Sequence, residues 1–269
     1  MASNPMHQGS IAYNYDQFLG PLFFEPYAIH LISKWKNVRA KHVLELACGT
    51  GRLTRYLLQL IDQDGLLSAT DLDKDMLAIA KSQLQDPRLI WQQADAQELP
   101  YEDQNFDLVV CQFGVMFFRD KLEAFKEAYR VLKPGGIFLF LTWDNVVYNA
   151  VSAETQAVLQ AVFPNDPPSF SKKGPYSYFD KTVITTTMHE AGFHGIDIAP
   201  IALTGKAKQV DEVVWGVLDG SPLSSFVEER GGNIEIVKEQ LKQALSNYAY
   251  VKENEFHYPM QALHCTGLR

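Results

Sequence analysis

The stretch Glu45-Leu46-Ala47-Cys48-Gly49-Thr50-Gly51 closes the apolar run His42-Val-Leu-Glu-Leu-Ala47. A short apolar run bounded by turn residues reads as a buried strand. Glycines at its end let the backbone turn sharply and approach a ligand without interference from a Cβ. A helix is expected to begin near Arg52, so its first amides point at the same place. A nucleotide-like ligand at the carboxyl end of this first strand is the expected outcome.

Working outward, Leu53, Leu57, Leu60 and Ile61 follow helical spacing. Leu66 to Leu72 reads as a second strand, and Met76, Leu77, Ala80 and Leu84 as its helix. Leu89 to Ala94 and Phe106 to Phe113 read as a third and a fourth strand. Leu122, Phe125, Tyr129 and Leu132 share one helical face, and Lys133-Pro134-Gly135-Gly136 stops that helix. Ile137 to Trp143 is a fifth strand. Apolar strands alternating with helices indicate an α/β fold with a parallel, doubly wound sheet, over roughly residues 40–143. Beyond it, Pro164 to Pro168 is a loop and Asp180 N-caps a helix that ends at Gly192. A strand is expected over Ile196–Leu203, and helices over Val210–Leu218 and Ile234–Tyr248. Phe256 to Leu268 is a last strand, in which Pro259 argues against a central, regular position. The first forty residues are rich in aromatics, among them Tyr13, Tyr15, Phe18, Tyr27 and Trp35, and are expected to form one or two helices.

The ligand class follows from what the loop lacks. A dinucleotide fingerprint needs a third glycine where Thr54 stands, and a phosphate-binding Gly-Lys-Ser/Thr is absent. Glu45 would repel a pyrophosphate, whereas a carboxylate suits an ammonium group or hydroxyls. S-adenosylmethionine (SAM) has an amino group, a sulfonium and no phosphate. Asp71, at the end of the second strand, can accept from both ribose hydroxyls. Asp95, at the end of the third, can accept from an exocyclic amine such as adenine N6.

Composition bounds the rest. The chain has 269 residues, 46% hydrophobic and 21% charged, with a formal charge of −8. These values exclude a disordered chain, a collagen-like repeat and a small disulfide scaffold, and disfavour a nucleic-acid or anionic-membrane binder. The odd set Cys48, Cys111 and Cys265 reads as buried reduced thiols, with no Cys-x-x-Cys pair and no metal site expected. The start, MASNPMHQGS, has neither the basic nor the apolar region of a secretory signal. The most apolar stretch, Phe106 to Phe118, is shorter than the ~18–20 residues of a membrane helix. A cytoplasmic protein is expected.

Five blocks in order resemble the class I SAM-dependent methyltransferases, in the small-molecule group that includes the ubiquinone/menaquinone-biosynthesis enzymes. They are Leu44 to Gly51, Ala69 to Leu77, Gln93 to Pro100, Phe106 to Phe113 and Tyr129 to Gly136. Ala47 departs from the pattern, because many relatives carry glycine there. The resemblance implies a Rossmann-like seven-stranded sheet, mostly parallel with an antiparallel last strand, plus helical lid elements. It implies one methyltransferase domain over 1–269, with a helical cover (1–40), a SAM-binding core (41–143) and the rest of the sheet with lid insertions (144–269). Ala47, Cys48, Gly49 and Gly51 are then the cofactor loop, with the two glycines against the methionine part and Glu45 holding its ammonium through water. Asp71 takes the ribose, Leu72 and Met76 pack near the adenine, Asp95 and Ala96 read its edge, and Gln112 and Phe113 face the methyl group. Asp73 reads as a helix N-cap.

The expected activity is methyl transfer from SAM to a small-molecule acceptor, leaving S-adenosylhomocysteine (SAH). Whether the nucleophile is O, N or C is open, and no general base stands out among the scattered histidines. Acceptor choice is expected in residues 1–40, 144–180 and 204–255. Monomer and homodimer are both open. The alternatives are a catalytically inactive SAM/SAH-binding protein acting through partners and a nicotinamide-dependent oxidoreductase.

Overall fold

The computed structural model describes residues 11–35 and 40–269; the opening MASNPMHQGS, read above as no secretory signal, lies outside the described residues. The strands are β1 Ala40–Leu46, β2 Ile61–Asp71, β3 Leu89–Gln93, β4 Phe106–Gln112, β5 Leu132–Trp143, β6 His194–Ala207, β7 Tyr250–Lys252 and β8 Glu255–Leu268. They form one sheet in the order β3-β2-β1-β4-β5-β8-β6, with β7 paired to β8. The pairings among β1 to β5 are parallel, and β8 runs antiparallel to β5 from Ile137↔Leu268 to Trp143↔Ala262. The seven-stranded order with an antiparallel last strand therefore stands, and short β7 is an eighth. The chain runs outward from β1 to β3 and then restarts at β4 on the other side of β1. That puts the topological switch point between β1 and β4, where open α/β sheets bind ligands.

Three boundaries differ from the pattern reading. Ile61 belongs to β2, not to the preceding helix, which is only Thr54–Leu57. The β1–β2 register shifts between Ala40↔Ile61 and His42↔Leu66, and a Cβ on Gly65 would stand 2.5 Å from the Ile61 side chain, so an irregularity carries the strand past Asp62–Asp64. In the helix Lys121–Val131 the buried residues are Ala124, Phe125, Ala128 and Val131, while Leu132 already pairs with Phe106 as the start of β5. Finally, β8 is central in spite of Pro259. That residue lies outside both the β5 register, which ends at Ala262, and the β7 register, which ends at His257.

The chain forms two compact units. One comprises Tyr27–Asn145, Ser171–Ile201 and Gln261–Arg269, and carries β1 to β5. Phe138 and Phe140 project from the same face of β5 onto Phe125 of the helix Lys121–Val131, at ring distances of 5.1 and 5.2 Å. Phe193 joins Phe138 at 5.3 Å, after the helix Lys181–Glu190, which Asp180 caps as expected. The other unit comprises the described residues up to Pro26, Val146–Phe170 and Ala202–Met260. Within it the helix Val210–Asp219 packs closely on the N-terminal helical segment: a Cβ on Gly216 would stand 2.9 Å from Leu19 and Phe18. The helix Ile234–Tyr248 buries Val237, Leu241 and Leu245. Among the described residues no helix is long and apolar enough to cross a membrane.

Arg130 shows how one helix residue shapes a loop before the site. Its guanidinium donates to both carboxylate oxygens of Glu127, to Asp103 and to the carbonyls of Leu99 and Tyr101, at 2.7–3.0 Å. Lysine cannot reproduce that fork. Arg130→Lys is expected to destabilise the fold by about 1–3 kcal/mol, as read by denaturant unfolding.

Candidate active site

Three acids stand at or just past the carboxyl ends of β1, β2 and β3. Glu45 lies within β1 and is buried, with Thr54 Oγ1 donating to its Oε2 at 2.6 Å. Thr70 Oγ1 donates to the Glu45 carbonyl at 2.9 Å. Burial pushes the Glu45 carboxyl up to about 8, against the Thr54 hydrogen bond and with a contribution from Asp71. Glu45 is therefore largely neutral at neutral pH in the ligand-free protein.

Asp71 ends β2 and joins two loops. Its Oδ2 accepts from Gly49 N at 2.7 Å and its Oδ1 from Asp73 N at 2.8 Å. Burial raises its pKa, and those backbone hydrogen bonds pull the other way. Asp73 in turn caps the helix Lys74–Gln83, accepting from Asp75 N and Met76 N as expected. Leu72, beside the half-buried Asp71, is 64% exposed. Met76 is half-buried.

In the loop after β1, Cys48 N bonds Thr70 O and Gly51 N bonds Cys48 O. Gly49 has φ +55, and a Cβ there would meet nothing within 4 Å, so this stretch of backbone borders open space. Gly51, at φ +79, differs: a Cβ would stand 3.1 Å from the Trp91 ring and 3.3 Å from Ala80 Cβ. Its smallness thus serves packing of the loop on β3 and on the helix Lys74–Gln83. Cys48 and Cys111 are buried, and burial raises both thiols, Cys111 to about 12. Cys265 is also free and buried.

Ala47, where relatives often carry glycine, has φ +52. Its Cβ fills the position that a side chain on Gly114 would need, 2.5 Å from an ideal Cβ there. Phe113, just before Gly114, also has φ +58 and is buried. Its ring stacks on Trp143 at 4.0 Å and meets Tyr27 edge-on at 5.2 Å. Gln112, the last residue of β4, is half-buried.

Asp95 lies two residues past β3, not at its end. It accepts from Gln97 N at 2.9 Å and from the Gln97 side-chain amide at 3.0 and 3.1 Å. Those bonds lower its pKa, so it is a carboxylate at neutral pH. Ala96 is half-buried beside it. Pattern reading missed Thr54, Thr70, Gln97 and Gly114. Thr54 did carry a signal, since it stands where a dinucleotide loop has its third glycine. The other three act through tertiary contacts that no spacing records.

The described residues 44–140 match a methyltransferase-domain family. The chain is 37% identical over 118 residues to the ubiquinone/menaquinone biosynthesis C-methyltransferase UbiE of Psychromonas ingrahamii, covering 42% of this chain and 47% of that protein. It is 31% identical over 172 residues to the enzyme of the same name from Escherichia coli, covering 59% of this chain and 68% of that protein. The chain thus spans about half the length of the first of these relatives and about two thirds of the second. Among solved structures, Haemonchus contortus phosphoethanolamine N-methyltransferase 2, in complex with phosphomonomethylethanolamine and SAH, superposes with a TM-score of 0.60 at 15% identity, over 96% of this chain and 57% of that one. This last likeness is one of fold.

Two outcomes follow from the site's strain and charge. Ala47→Gly relieves a left-handed alanine and is expected to stabilise the fold by about 0.5–1 kcal/mol, net of glycine's entropy. Gly114→Ala is expected to cost about 1–3 kcal/mol, and the double variant to recover part of it, in denaturant unfolding. Glu45 titrates higher folded than unfolded, so its contribution is fully present below about pH 4.5 and is lost as pH rises towards about 8. Melting temperatures of the ligand-free protein should fall across that window, and Glu45→Gln should flatten the fall.

Proposed function

The chain belongs to the class I SAM-dependent methyltransferases, and on that premise we propose how its residues hold SAM and what they methylate. The observation that carries the proposal is the set of acids Glu45 in β1, Asp71 at the end of β2 and Asp95 just past β3, with the Gly49 backbone bordering open space. That set of acceptors fits a ligand with an ammonium, a ribose and an exocyclic amine, and no phosphate. Gly49 and the loop Ala47 to Gly51 border the methionine part. Glu45 serves its ammonium through water. An arriving ammonium favours the charged form of Glu45, so binding at neutral pH releases a proton from it. Asp71 accepts from the ribose. Leu72 and Met76 cover the adenine, which accounts for the exposure of Leu72, and Asp95 and Ala96 read its edge. Gln112 and the backbone around Phe113 stand towards the methyl group.

When bound, SAM supplies an activated methyl on a sulfonium, ready for in-line displacement. The protein's own contribution is alignment and exclusion of water. The acceptor is a small molecule, and an electron-rich ring carbon, as in a hydroquinone, is the class suggested by the names of its relatives. Residues 1–40, 144–180 and 204–255 are read as selecting it. The whole chain, 1–269, is read as one methyltransferase domain working in the cytoplasm without nucleic acid.

Calorimetry with SAM, followed by methyl-transfer assays over phenols, hydroquinones and amines, tests the proposal. Turnover of an acceptor supports it. Binding without turnover of any acceptor would favour a binding protein, and NAD binding in place of SAM would sink the reading. Asp71→Ala is expected to weaken SAM binding by about 1.5–3 kcal/mol, the worth of hydrogen bonds to a charged acceptor. Unchanged affinity in a folded variant would mean the ribose lies elsewhere.

A further inference from the structure

Asp95, two residues past β3, does not stand alone: Gln97 holds it. The Gln97 backbone N–H donates to Oδ1 at 2.9 Å, and the side-chain amide is shared between Oδ1 at 3.0 Å and Oδ2 at 3.1 Å. The other end of the same amide is also fixed, since Gln97 Oε1 accepts from Asp120 N at 2.6 Å. Asp120 is the N-cap of the helix Lys121–Val131 and accepts from Glu123 N at 3.0 Å. The amide group is therefore clamped between a carboxylate and a helix start, and it cannot flip without losing both contacts. The Asp95–Glu98 turn closes the loop, with Glu98 N donating to Asp95 O at 3.1 Å.

A carboxylate has about four lone-pair directions. The two Gln97 donors occupy those that face Gln97, which fixes the carboxylate's rotation and leaves the remaining directions pointing away. Neutral donors on both oxygens also keep the group ionised, hence an acceptor only. Such a group welcomes an N–H donor and rejects a carbonyl oxygen.

We infer that Gln97 is a positioning residue, which orients the Asp95 carboxylate for an exocyclic amine and so sets a preference for 6-amino over 6-oxo purine ligands. The inference rests on the proposed placement of the adenine at Asp95. It assigns the selectivity to a side chain that itself touches no part of the ligand.

The test is calorimetric binding of SAH and of S-inosylhomocysteine, its 6-oxo counterpart, to the full chain and to Gln97→Glu and Gln97→Ala. Glutamate keeps the backbone N–H and an oxygen for Asp120 N–H but has no side-chain donor for Asp95, and it places a like charge beside it. It therefore separates loop tethering from orientation of the carboxylate. The wild type is expected to prefer SAH by at least about tenfold, the scale of one hydrogen bond to a charged group. Gln97→Glu is expected to lose most of that preference with a melting temperature near wild type. Gln97→Ala is expected to lose the preference and some stability together. A wild type that binds both ligands alike overturns the inference. So does a Gln97→Glu or Gln97→Ala variant that keeps the full preference, whatever its stability. Failure of the wild type to bind SAH at all would instead refute the cofactor reading on which this rests.

Discussion

The Asp71 carboxylate takes a hydrogen bond from Gly49 N on one oxygen and from Asp73 N on the other. Through the first it fixes the loop that leaves β1, and through the second the start of the helix that follows β2. Two adjacent strands thus share one turn geometry at their carboxyl ends. Desolvation acts against the charge on Asp71, and the backbone amides offset part of that cost. Any donor arriving at this group meets an acceptor already oriented by its own protein. The loop would be hard to hold otherwise, because Ala47, Gly49 and Gly51 all have positive φ.

Much of this was legible in the residues themselves. Strands β1, β4 and β5 read as apolar runs because both faces of a parallel sheet are covered, and Asp73 and Asp180 read as caps because local chemistry alone makes them so. Ile61 was misplaced because a leucine-rich helix followed by an irregular strand start leaves no break in apolar spacing. Pro259 misled for a different reason: a proline limits the hydrogen bonds of its own position, and here that position lies outside two registers of a long strand. Glu45 is legible as an acid in β1 next to the loop. Its burial was not legible, since it depends on Thr54 closing over the carboxylate. The same limit applies to Gln97, whose partners are a neighbour in sequence and a helix start more than twenty residues on.

The site also divides its labour between rigid and responsive groups. Phe113, Trp143 and Tyr27 form a packed aromatic cluster at the ends of β4 and β5, in which Phe113 keeps a left-handed backbone. A buried aromatic in that conformation persists only where its surroundings over-determine it. Glu45 is the opposite case: burial holds its carboxyl towards the neutral form, so its charge answers to whatever stands beside it.

The contact between Ala47 and Gly114 reaches into how this sequence could have diverged. With alanine at 47, any side chain at 114 collides with it, and with a side chain at 114 an alanine at 47 is excluded. Cys111 Sγ stands 2.8 Å from the same ideal Cβ, so glycine at 47 alone would not open position 114. The glycine at 114 is held from two sides, by the loop after β1 and by β4 itself, and a side chain there needs both neighbours to change. Position 47 is the freer of the two, since it can carry alanine or glycine as long as 114 stays glycine.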